Sequence, residues 1–394
     1  MLTKSAEDLF TFAEEHLTAL AVDVGTPCFV YDLRAARERW DRLRQALPGR
    51  VRLAYAVKSN PGGPLLETFA AQGAWFDCAS AGEVSAVLAA GGTGRAMVFA
   101  GPAKSARDLQ AAVYAGARVQ VDGIEDVQRL HALHTESGTE PLAVSVRVHP
   151  ASGISESSAI IGGVGPSAFG VDEEDLAAFL DAARAYDRVR ITGLQVFSAS
   201  NELDPGVLLS NHRTALRIAR TIHFDHGVAL EMVDLGGGLG IRYAPHEPSL
   251  DIYTLGAGLE RLLTEHDWFT GELLLEPGRW LSGPIGVYLT RVVRVKESRG
   301  TRFALLEGGI NHLLRPLLTG QSFPVTAPER TGAHTTYTLA GPLCTSLDRV
   351  GTAELPLDLA PGDVLAFGQV GAYAATQAMT HFLSHPAPGQ RWIR

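Results

Sequence analysis

A lysine follows a buried strand, where its amine could act as a nucleophile. Residues 51–57 are apolar and β-prone, and Asn60-Pro61-Gly62-Gly63 breaks the chain soon after Lys58. An ammonium group in such surroundings loses hydration, which makes its neutral, nucleophilic form more accessible. The corresponding chemistry is a Schiff base with an aldehyde, and pyridoxal phosphate is the usual aldehyde cofactor. The alternative is a lysine that merely ends a strand and points into water.

Three consecutive glycines could cradle a phosphate group. A strand is predicted at 232–235, and Gly236, Gly237 and Gly238 come directly after it. Because these residues have no Cβ atoms, their backbone N–H groups can approach a phosphate closely. The alternative is a flexible connector without a ligand.

A carboxylate and an arginine follow the apolar strand predicted at 273–275. Glu276 is expected to be buried there, and a buried carboxylate needs a partner. A protonated pyridine nitrogen is a suitable partner, and this ion pair would strengthen pyridoxal phosphate as an electron sink. Arg279 ends the run Glu276-Pro277-Gly278-Arg279 and could bind a phosphate or a carboxylate through two hydrogen bonds. The alternative is a structural Glu–Arg pair.

A cysteine and a tyrosine lie much further along the chain. Cys344 belongs to Gly341-Pro342-Leu343-Cys344-Thr345-Ser346-Leu347-Asp348, and a thiol with a pKa of about 8.5 can give a proton to a carbanion. Tyr373, in Gly371-Ala372-Tyr373-Ala374, could place its hydroxyl on a phosphate. The alternatives are a small buried thiol and an aromatic ring packed at a turn.

Alternating strands and helices are predicted to position the lysine, the glycines and the glutamate. The strands are predicted at 51–57, 75–78, 96–99, 118–121, 144–148, 191–196, 232–235 and 273–275, with helices at 82–90, 105–115, 124–135, 175–186, 206–223 and 252–265. About eight β/α units in roughly 250 residues are typical of a (β/α)8 barrel, in which polar residues after the strands gather at one mouth. A doubly wound sheet is the competing interpretation.

The regular alternation of strands and helices ends after residue 281, which predicts a second domain. Gly/Pro turns and little helix separate strands predicted at 288–295, 301–306, 335–340, 364–367 and 391–393. Before residue 51, we expect a helix at 5–20 capped by Ser5, a strand at 29–32 and a helix at 33–46. The sequence therefore predicts an α/β protein, with a barrel over 26–281 and a mostly β domain built from 1–25 and 282–394.

Composition argues against several classes of function. The 394 residues carry a net charge of −9 without a basic run, which argues against nucleic acid as a partner. No apolar run approaches the ~20 residues of a membrane span, and the acidic, amphipathic start is unlike a secretory signal. Cys28, Cys78 and Cys344 lack the spacing of metal ligands or of a disulfide framework. We therefore expect no metal and a cytoplasmic location.

The ordered motifs resemble those of the fold-type III pyridoxal-phosphate decarboxylases, whose familiar members are diaminopimelate and ornithine decarboxylases. The matching motifs are Tyr-Ala-Val-Lys-Ser-Asn-Pro at 55–61, Phe-Asp-Cys-Ala-Ser at 76–80, the triple glycine, Glu-Pro-Gly-Arg, Gly-Pro-Leu-Cys and Gly-Ala-Tyr. The resemblance covers nearly the whole chain. It implies an alanine-racemase-like TIM barrel plus a β domain, in a homodimer whose cysteine loop enters the partner's active site.

The resemblance also implies a role for each matching residue. Lys58 is similar to the Schiff-base lysine, Glu276 to the partner of the pyridine nitrogen, and Cys344 to the proton donor to Cα, acting on the other subunit's cofactor. The positions that match the cofactor surroundings are Asp77, Glu83, Arg147, Phe197, Ser200, Gly236, Gly237, Gly238, Pro277, Gly278, Arg279 and Tyr373. The candidate substrate contacts are Arg279, Arg315, Thr345, Asp348 and Tyr373.

Three departures from the family pattern bear on the substrate. Phe197 replaces a histidine that usually stacks on the pyridine ring, so stacking remains possible but hydrogen bonding does not. Thr345 replaces the acidic residue that receives a distal amine in diamine-forming members. Arg315 resembles the arginine for the distal carboxylate in diaminopimelate decarboxylases, but Thr319 stands where a tyrosine is expected. These features favour a substrate without a distal ammonium group.

Two segments, at 161–172 and 382–388, resemble a subgroup from specialised metabolism. That subgroup includes the butirosin-pathway decarboxylase, which acts on an amino acid attached to a carrier protein, and exosortase-associated relatives. We therefore expect α-decarboxylation of an L-amino acid or of a carrier-tethered aminoacyl group, with the acidic type favoured. Decarboxylation of meso-diaminopimelate is the alternative substrate assignment, and turn chemistry shared by descent is the alternative interpretation of the two segments.

Two other functions compete with decarboxylation. A non-catalytic regulatory homologue would usually lose the lysine or the cysteine, whereas this chain keeps both Lys58 and Cys344. Racemases of this fold hold the pyridine nitrogen with arginine, so Glu276 and the Gly-Pro-Leu-Cys loop argue against racemisation.

Overall fold

The structure, a computed structural model, describes residues 9–134, 140–152 and 165–394. Ser5 and the first part of the 161–172 segment, residues 161–164, lie outside the described residues. In chain order the strands are β1 (Cys28–Asp32), β2 (Val51–Ala56), β3 (Trp75–Cys78), β4 (Met97–Phe99), β5 (Arg118–Val121), β6 (Leu142–His149), β7 (Val171–Asp172), β8 (Val189–Gln195), β9 (Met232–Asp234), β10 (Glu272–Leu275), β11 (Gly286–Ser298), β12 (Thr301–Leu306), β13 (Val325–Thr326), β14 (His334–Ala340), β15 (Arg349–Pro356), β16 (Val364–Phe367) and β17 (Gly389–Ile393). The α-helices are α1 (Glu14–Val24), α2 (Leu33–Ala46), α3 (Gly63–Ala71), α4 (Ala81–Ala89), α5 (Ala106–Ala115), α6 (Ile124–His134), α7 (Leu176–Ala183), α8 (Pro205–Phe224), α9 (Ile252–Glu265), α10 (Arg279–Ser282) and α11 (Arg315–Thr319).

Eight parallel strands close into a barrel, which confirms the predicted fold class. Their order is β2, β3, β4, β5, β6, β8, β9 and β10, and pairing of β10 with β2 closes the ring. Leu273 lies opposite Val51 at this closing pair. Ala54, Val98 and Leu274 form part of a buried cluster within the strands, as expected of a barrel filled with side chains.

Four of the helices between the barrel strands start at a polar side-chain cap and bury an apolar stripe. In α9, Leu255, Leu259 and Leu262 follow helical spacing and are almost fully buried. The side-chain caps are Ser80 for α4, Ser105 for α5, Asp204 for α8 and Asp251 for α9. Within the described residues, no helix combines the length and apolar character needed to cross a bilayer.

Strand β7 pairs with β6 at the barrel sheet, and the other remaining strands form a second sheet, as predicted for the C-terminal part. Its main path runs β13, β16, β11, β12, β14 and β15, with β1 antiparallel to β11 and parallel to β17. Phe12, Leu17 and Ala21 pack with Val30 and Val287 in its core. The chain separates into a barrel unit (Trp40–Gly240 and Leu250–Gly278) and a β unit (the chain up to Arg39, Ile241–Ser249 and Arg279–Arg394).

The position of β1 differs from the predicted domain division. Residues 26–39 were assigned to a barrel over 26–281, but β1 lies in the β unit. A five-residue strand, buried at every position and followed by a helix, looks like a β/α unit of a barrel, and nothing local specifies its sheet. Ile241–Ser249 and Arg279 also belong to the β unit.

Two other local predictions need correction. The first helix was predicted at 5–20, but α1 begins at Glu14 and ends at Val24. Phe12 and Ala13 are buried before the helix starts, so they imitate a helical stripe in the sequence. Helix α3 was missed because Gly62-Gly63-Pro64 reads as a break, although proline is well tolerated in the first turn of a helix.

Candidate active site

Lys58 lies in a single 3₁₀ turn, Val57–Ser59, directly after β2. The strand register places Ala56 opposite Asp77, and the Lys58 Nζ atom lies 2.6 Å from Asp77 Oδ2. The Lys58 side chain is 38% exposed, whereas that of Asp77 is 1% exposed. The amine is therefore held in place by a buried carboxylate and still reaches an accessible surface.

Hydrogen bonds fix the turn that carries Lys58. The Ser59 hydroxyl lies 2.8 Å from Ala56 O and 3.0 Å from the Tyr55 hydroxyl, which donates to Asn60 O. Gly278 packs against this turn, since a Cβ added there would lie 3.0 Å from the Cβ atoms of Ala56 and Ser59. The Ala56 N–H also donates to Pro277 O, so the Glu-Pro-Gly run supports the lysine turn.

Glu276 follows β10 and is buried, as predicted, but it has two partners that the sequence did not suggest. One is Asp234 at the end of β9, which is electrostatically coupled to Glu276. Gln120 of β5 donates its Nε2 to Asp234 Oδ2 at 2.9 Å and to Glu276 Oε1 at 3.4 Å. Burial raises the pKa of Glu276 well above its usual value, and Asp234 and Asp77 raise it further. Burial likewise raises the pKa of Asp234.

The triple glycine makes close backbone contacts inside the barrel unit. A Cβ at Gly236 would lie 2.5 Å from Val196 O, one at Gly237 would lie 2.5 Å from Glu276 O, and one at Gly238 would lie 3.0 Å from Ala199 O. The Glu276 N–H donates to Gly236 O at 2.8 Å. Packing alone therefore requires glycine here, and the predicted phosphate contact stays a prediction.

Phe197 lies beside the lysine and the glycines. Its ring centroid is 5.8 Å from Lys58 Nζ, and its ring atoms lie 3.2–3.3 Å from the positions of a Cβ on Gly236 or Gly237. Ser200 is half-buried in the loop after β8, where the nearby Ser198 hydroxyl is buried and has no hydrogen-bond partner in the described ranges.

Two further predicted cofactor residues belong to other parts of the barrel unit. Arg147 lies in β6, and its guanidinium group is 4.5 Å from the ring centroid of Phe169. Glu83 in α4 accepts a hydrogen bond from Ala79 N at 2.7 Å. Burial raises the pKa of Glu83.

A second cluster of predicted residues lies in the β unit. Arg279 donates a hydrogen bond to the Tyr243 hydroxyl at 2.7 Å, and its guanidinium carbon is 4.7 Å from the Tyr373 ring centroid. Arg315 lies 5.6 Å from the Tyr243 ring centroid and donates to Gln321 Oε1 at 3.3 Å. Both arginines are buried. Tyr243, which joins them, was missed because it follows the glycine motif without a pattern of its own.

The cysteine loop, residues 341–348, is held in place by hydrogen bonds to Asp348 rather than to Cys344. Cys344 is exposed, and the Thr345 hydroxyl accepts a hydrogen bond from Leu347 N. Asp348 is buried, and its two carboxylate oxygens accept from Ile310 N and Leu343 N, each at 2.7 Å. These bonds give Asp348 a structural role, so its predicted contact with substrate lacks support from its surroundings.

Comparison with known proteins agrees with the arrangement in the barrel unit. Residues 33–283 match the family model of the pyridoxal-dependent decarboxylases, pyridoxal binding domain. The L-glutamyl-[BtrI acyl-carrier protein] decarboxylase of Niallia circulans is 28% identical, over 95% of this chain and 90% of that protein. The diaminopimelate decarboxylase of Deinococcus radiodurans is 33% identical, over 93% of this chain and 89% of that protein. A solved diaminopimelate decarboxylase structure from M. jannaschii superposes with a TM-score of 0.87 at 25% identity, covering 95% of this chain and 89% of that one.

The residues of the barrel unit fit a pyridoxal cofactor. They provide an accessible primary amine at Lys58 and a buried acid at Glu276. Within the described part of the chain, they also leave buried polar atoms without hydrogen-bond partners, namely Asp77 Oδ1, Gln120 Oε1 and Ser198 Oγ. A buried polar atom is costly unless it finds a partner, so a polar ligand would be stabilised here.

Proposed function

The chain belongs to the pyridoxal-dependent decarboxylases, and from that premise we propose that it removes the α-carboxyl group of an acidic L-amino acid, either free or tethered to a carrier protein. It is a carboxy-lyase, and its cofactor is pyridoxal 5′-phosphate. The observation that carries the choice of an acidic substrate is the pair of buried arginines in the β unit, Arg279 and Arg315.

The two guanidinium groups lack anionic partners within the part of the chain that the structure describes. Arg279 is 6% exposed and Arg315 4% exposed, and neither forms a salt bridge among the described residues. Burial lowers the pKa of Arg315, and the nearby charge of Arg279 lowers it further. Among the described residues, Arg315 Nε also lacks a hydrogen-bond partner. Because a buried charge without a counter-ion is costly, we infer that this pair of arginines binds an anionic group of the substrate.

The cysteine loop supports the absence of a distal ammonium group in the substrate. Thr345 carries no charge, and its hydroxyl accepts the Leu347 N–H. Asp348, the acid nearest in sequence, is occupied by two backbone N–H groups. A substrate with a distal amine would therefore find no available carboxylate in this loop.

The chemical roles follow from the surroundings of each side chain. Bound pyridoxal phosphate supplies an electron sink for the electrons left at Cα when carbon dioxide departs. Lys58 would bond to the cofactor's aldehyde carbon, with Asp77 orienting its amine. Glu276 would hold the pyridine nitrogen, and Phe197 would cover one face of the ring. Cys344 would return a proton to Cα.

The same proposal includes a homodimer with shared active sites. Cys344 is exposed, and so are the apolar side chains of Leu347, Leu317 and Leu318 in the same β unit. Exposed apolar side chains on neighbouring segments are typical of an interaction surface. A cytoplasmic location also belongs to the proposal, supported by the three cysteines, all described, which are unpaired thiols.

A panel of substrates tests the proposal. Purified protein with pyridoxal phosphate is given L-glutamate, L-aspartate, a glutamyl-carrier thioester, meso-diaminopimelate, L-ornithine and L-lysine, and released carbon dioxide is measured. We expect an acidic substrate to have the highest kcat/KM. Arg315→Met should lower this value by about 10–100-fold, as loss of a charged hydrogen bond implies. Arg302→Met, at a partly exposed position of β12, is the matched control.

Turnover of ornithine or lysine at rates comparable to the best substrate would contradict the proposal. Preference for meso-diaminopimelate would support the second candidate, which is favoured by the 33% identity to the Deinococcus radiodurans enzyme. Arg315 could serve the distal carboxylate of that compound equally well. Its distal ammonium group would then require a carboxylate that Thr345 does not provide.

A further inference from the structure

Four polar side chains meet inside the barrel unit, although they come from strands that are not all neighbours. Asp77 lies in β3, Gln120 in β5, Asp234 at the end of β9 and Glu276 after β10. All four are at most 3% exposed. Gln120 contacts Asp234 and Glu276 with the same amide nitrogen, while its Oε1 and Asp77 Oδ1 have no hydrogen-bond partner among the residues that the structure describes.

The charges of this group do not balance if every acid is ionised. The carboxyl groups of Asp77, Asp234 and Glu276, with that of Glu83 nearby, share one cation, the ammonium of Lys58, which is paired to Asp77. Asp234 and Glu276 both lie against the amide nitrogen of Gln120, which is 2.9 Å from Asp234 Oδ2 and 3.4 Å from Glu276 Oε1. Two ionised carboxylates held this close offer only hydrogen-bond acceptors and repel each other, whereas one proton between them would give a hydrogen bond and remove the repulsion.

We propose that Asp234 and Glu276 share one proton and together carry a single negative charge, and that Asp234 and Gln120 are positioning residues for Glu276. The assignment of Glu276 to the cofactor's ring nitrogen rests on the proposed function, whereas the shared proton is a property of the chain itself. Burial raises the pKa of both acids, in agreement with retention of the proton near neutral pH.

Hydrogen bonds also hold the side chains of Asp234 and Glu276 in a single arrangement. Asp234 Oδ1 accepts from Gly236 N at 2.9 Å, and its other oxygen accepts from Gln120. Glu276 N donates to Gly236 O, so the same glycine holds both acids. One fixed negative charge matches one positively charged ring nitrogen, whereas a doubly ionised pair would leave an unbalanced charge in a buried site.

Infrared difference spectroscopy on cofactor-free protein tests the shared proton. The wild-type protein is titrated between pH 6 and pH 9, in water and in D2O, and the carbonyl stretch of a protonated buried carboxyl group is recorded. We expect this band in the wild type and its loss in both Asp234→Asn and Glu276→Gln, because the one remaining acid then carries the single negative charge of the site, beside the Lys58 ammonium. Gln120→Leu should shift the band without removing it. Asp181→Asn, at an exposed position of α7, should leave it unchanged.

Each outcome decides for or against the proposal. Absence of the band in the wild type, or its persistence in both Asp234→Asn and Glu276→Gln, would overturn it. Circular dichroism melting curves identify a variant that fails to fold, and the other of the two isosteric variants then decides. Since the measurement needs neither substrate nor cofactor, a negative result together with retained decarboxylase activity refutes the shared proton and leaves the proposed function intact.

Discussion

Gly237 offers a sharp test of how the barrel unit positions Glu276. A Cβ at Gly237 would lie 2.5 Å from Glu276 O, and ordinary contact begins at 3.4 Å, so Gly237→Ala must separate the two backbones by about 0.9 Å. The obstructing atom is backbone, so no side-chain rotation can relieve the clash. Overpacking of this kind costs about 1–3 kcal/mol of stability. A displacement of ~1 Å at a positioned group can cost about 10²-fold in rate.

The assay combines stability with catalysis. Urea unfolding gives the free energy of unfolding, and kcat/KM is measured with the best substrate of the panel. Gly49→Ala is the matched control, because a Cβ there meets no atom within 4 Å. We expect Gly237→Ala to lose both stability and kcat/KM while Gly49→Ala keeps both. Equal behaviour of the two variants would show that the close approach of these backbones does not position Glu276.

Three further predictions concern other features. Lys104 is buried, and its ammonium group lies 2.6 Å from Asp122 and 2.8 Å from Asp126. Lys104→Met should therefore lower the free energy of unfolding, measured in urea, by about 3–5 kcal/mol. The control Arg107→Met, at an exposed position, should leave that free energy unchanged. Burial lowers the pKa of His212 to about 4. As the pH drops from about 6.5 to about 4, the unfolded chain therefore binds the extra proton first, and the stability of the folded protein should fall. His212→Leu should reduce this slope of stability against pH in acid urea titrations, and an unchanged slope would contradict the prediction. Mixing inactive Lys58→Ala and Cys344→Ala proteins should restore about a quarter of wild-type activity if subunits of a homodimer exchange at random, whereas no recovery would argue against shared sites.

The sequence predicts the barrel well because each strand carries its own signal. Apolar runs ended by turn residues gave β3, β5 and α9 at the bounds that the structure has. The place of β1 was wrong because its pairing with β11 depends on residues more than 250 positions away. Helix α3 was missed because glycine and proline were read as a break rather than as a first turn.

The individual site residues could be proposed from the sequence, but their partners could not. Lys58 and Glu276 were recognisable because a charged residue directly follows an apolar strand. The bond between Gln120 and Asp234 links β5 to β9 across the inside of the barrel, and it depends on strand tilt and stagger rather than on local pattern. One signal was available, since a glutamine within the short apolar strand at 118–121 needs a buried partner.

Closure of the barrel has a consequence for how the protein is made. Strand β2 completes its pairing only with β10, and 216 residues separate Ala56 from Glu272. At ribosomal speeds of about 5–20 residues per second, the earlier strand waits roughly 10–40 s for its second neighbour. During that interval one of its edges is unpaired, which makes the nascent chain a candidate for chaperone protection. Lys58 and Glu276 follow the two strands of this last pair, β2 and β10. Binding of the vitamin B6 aldehyde would therefore indicate that the barrel has closed.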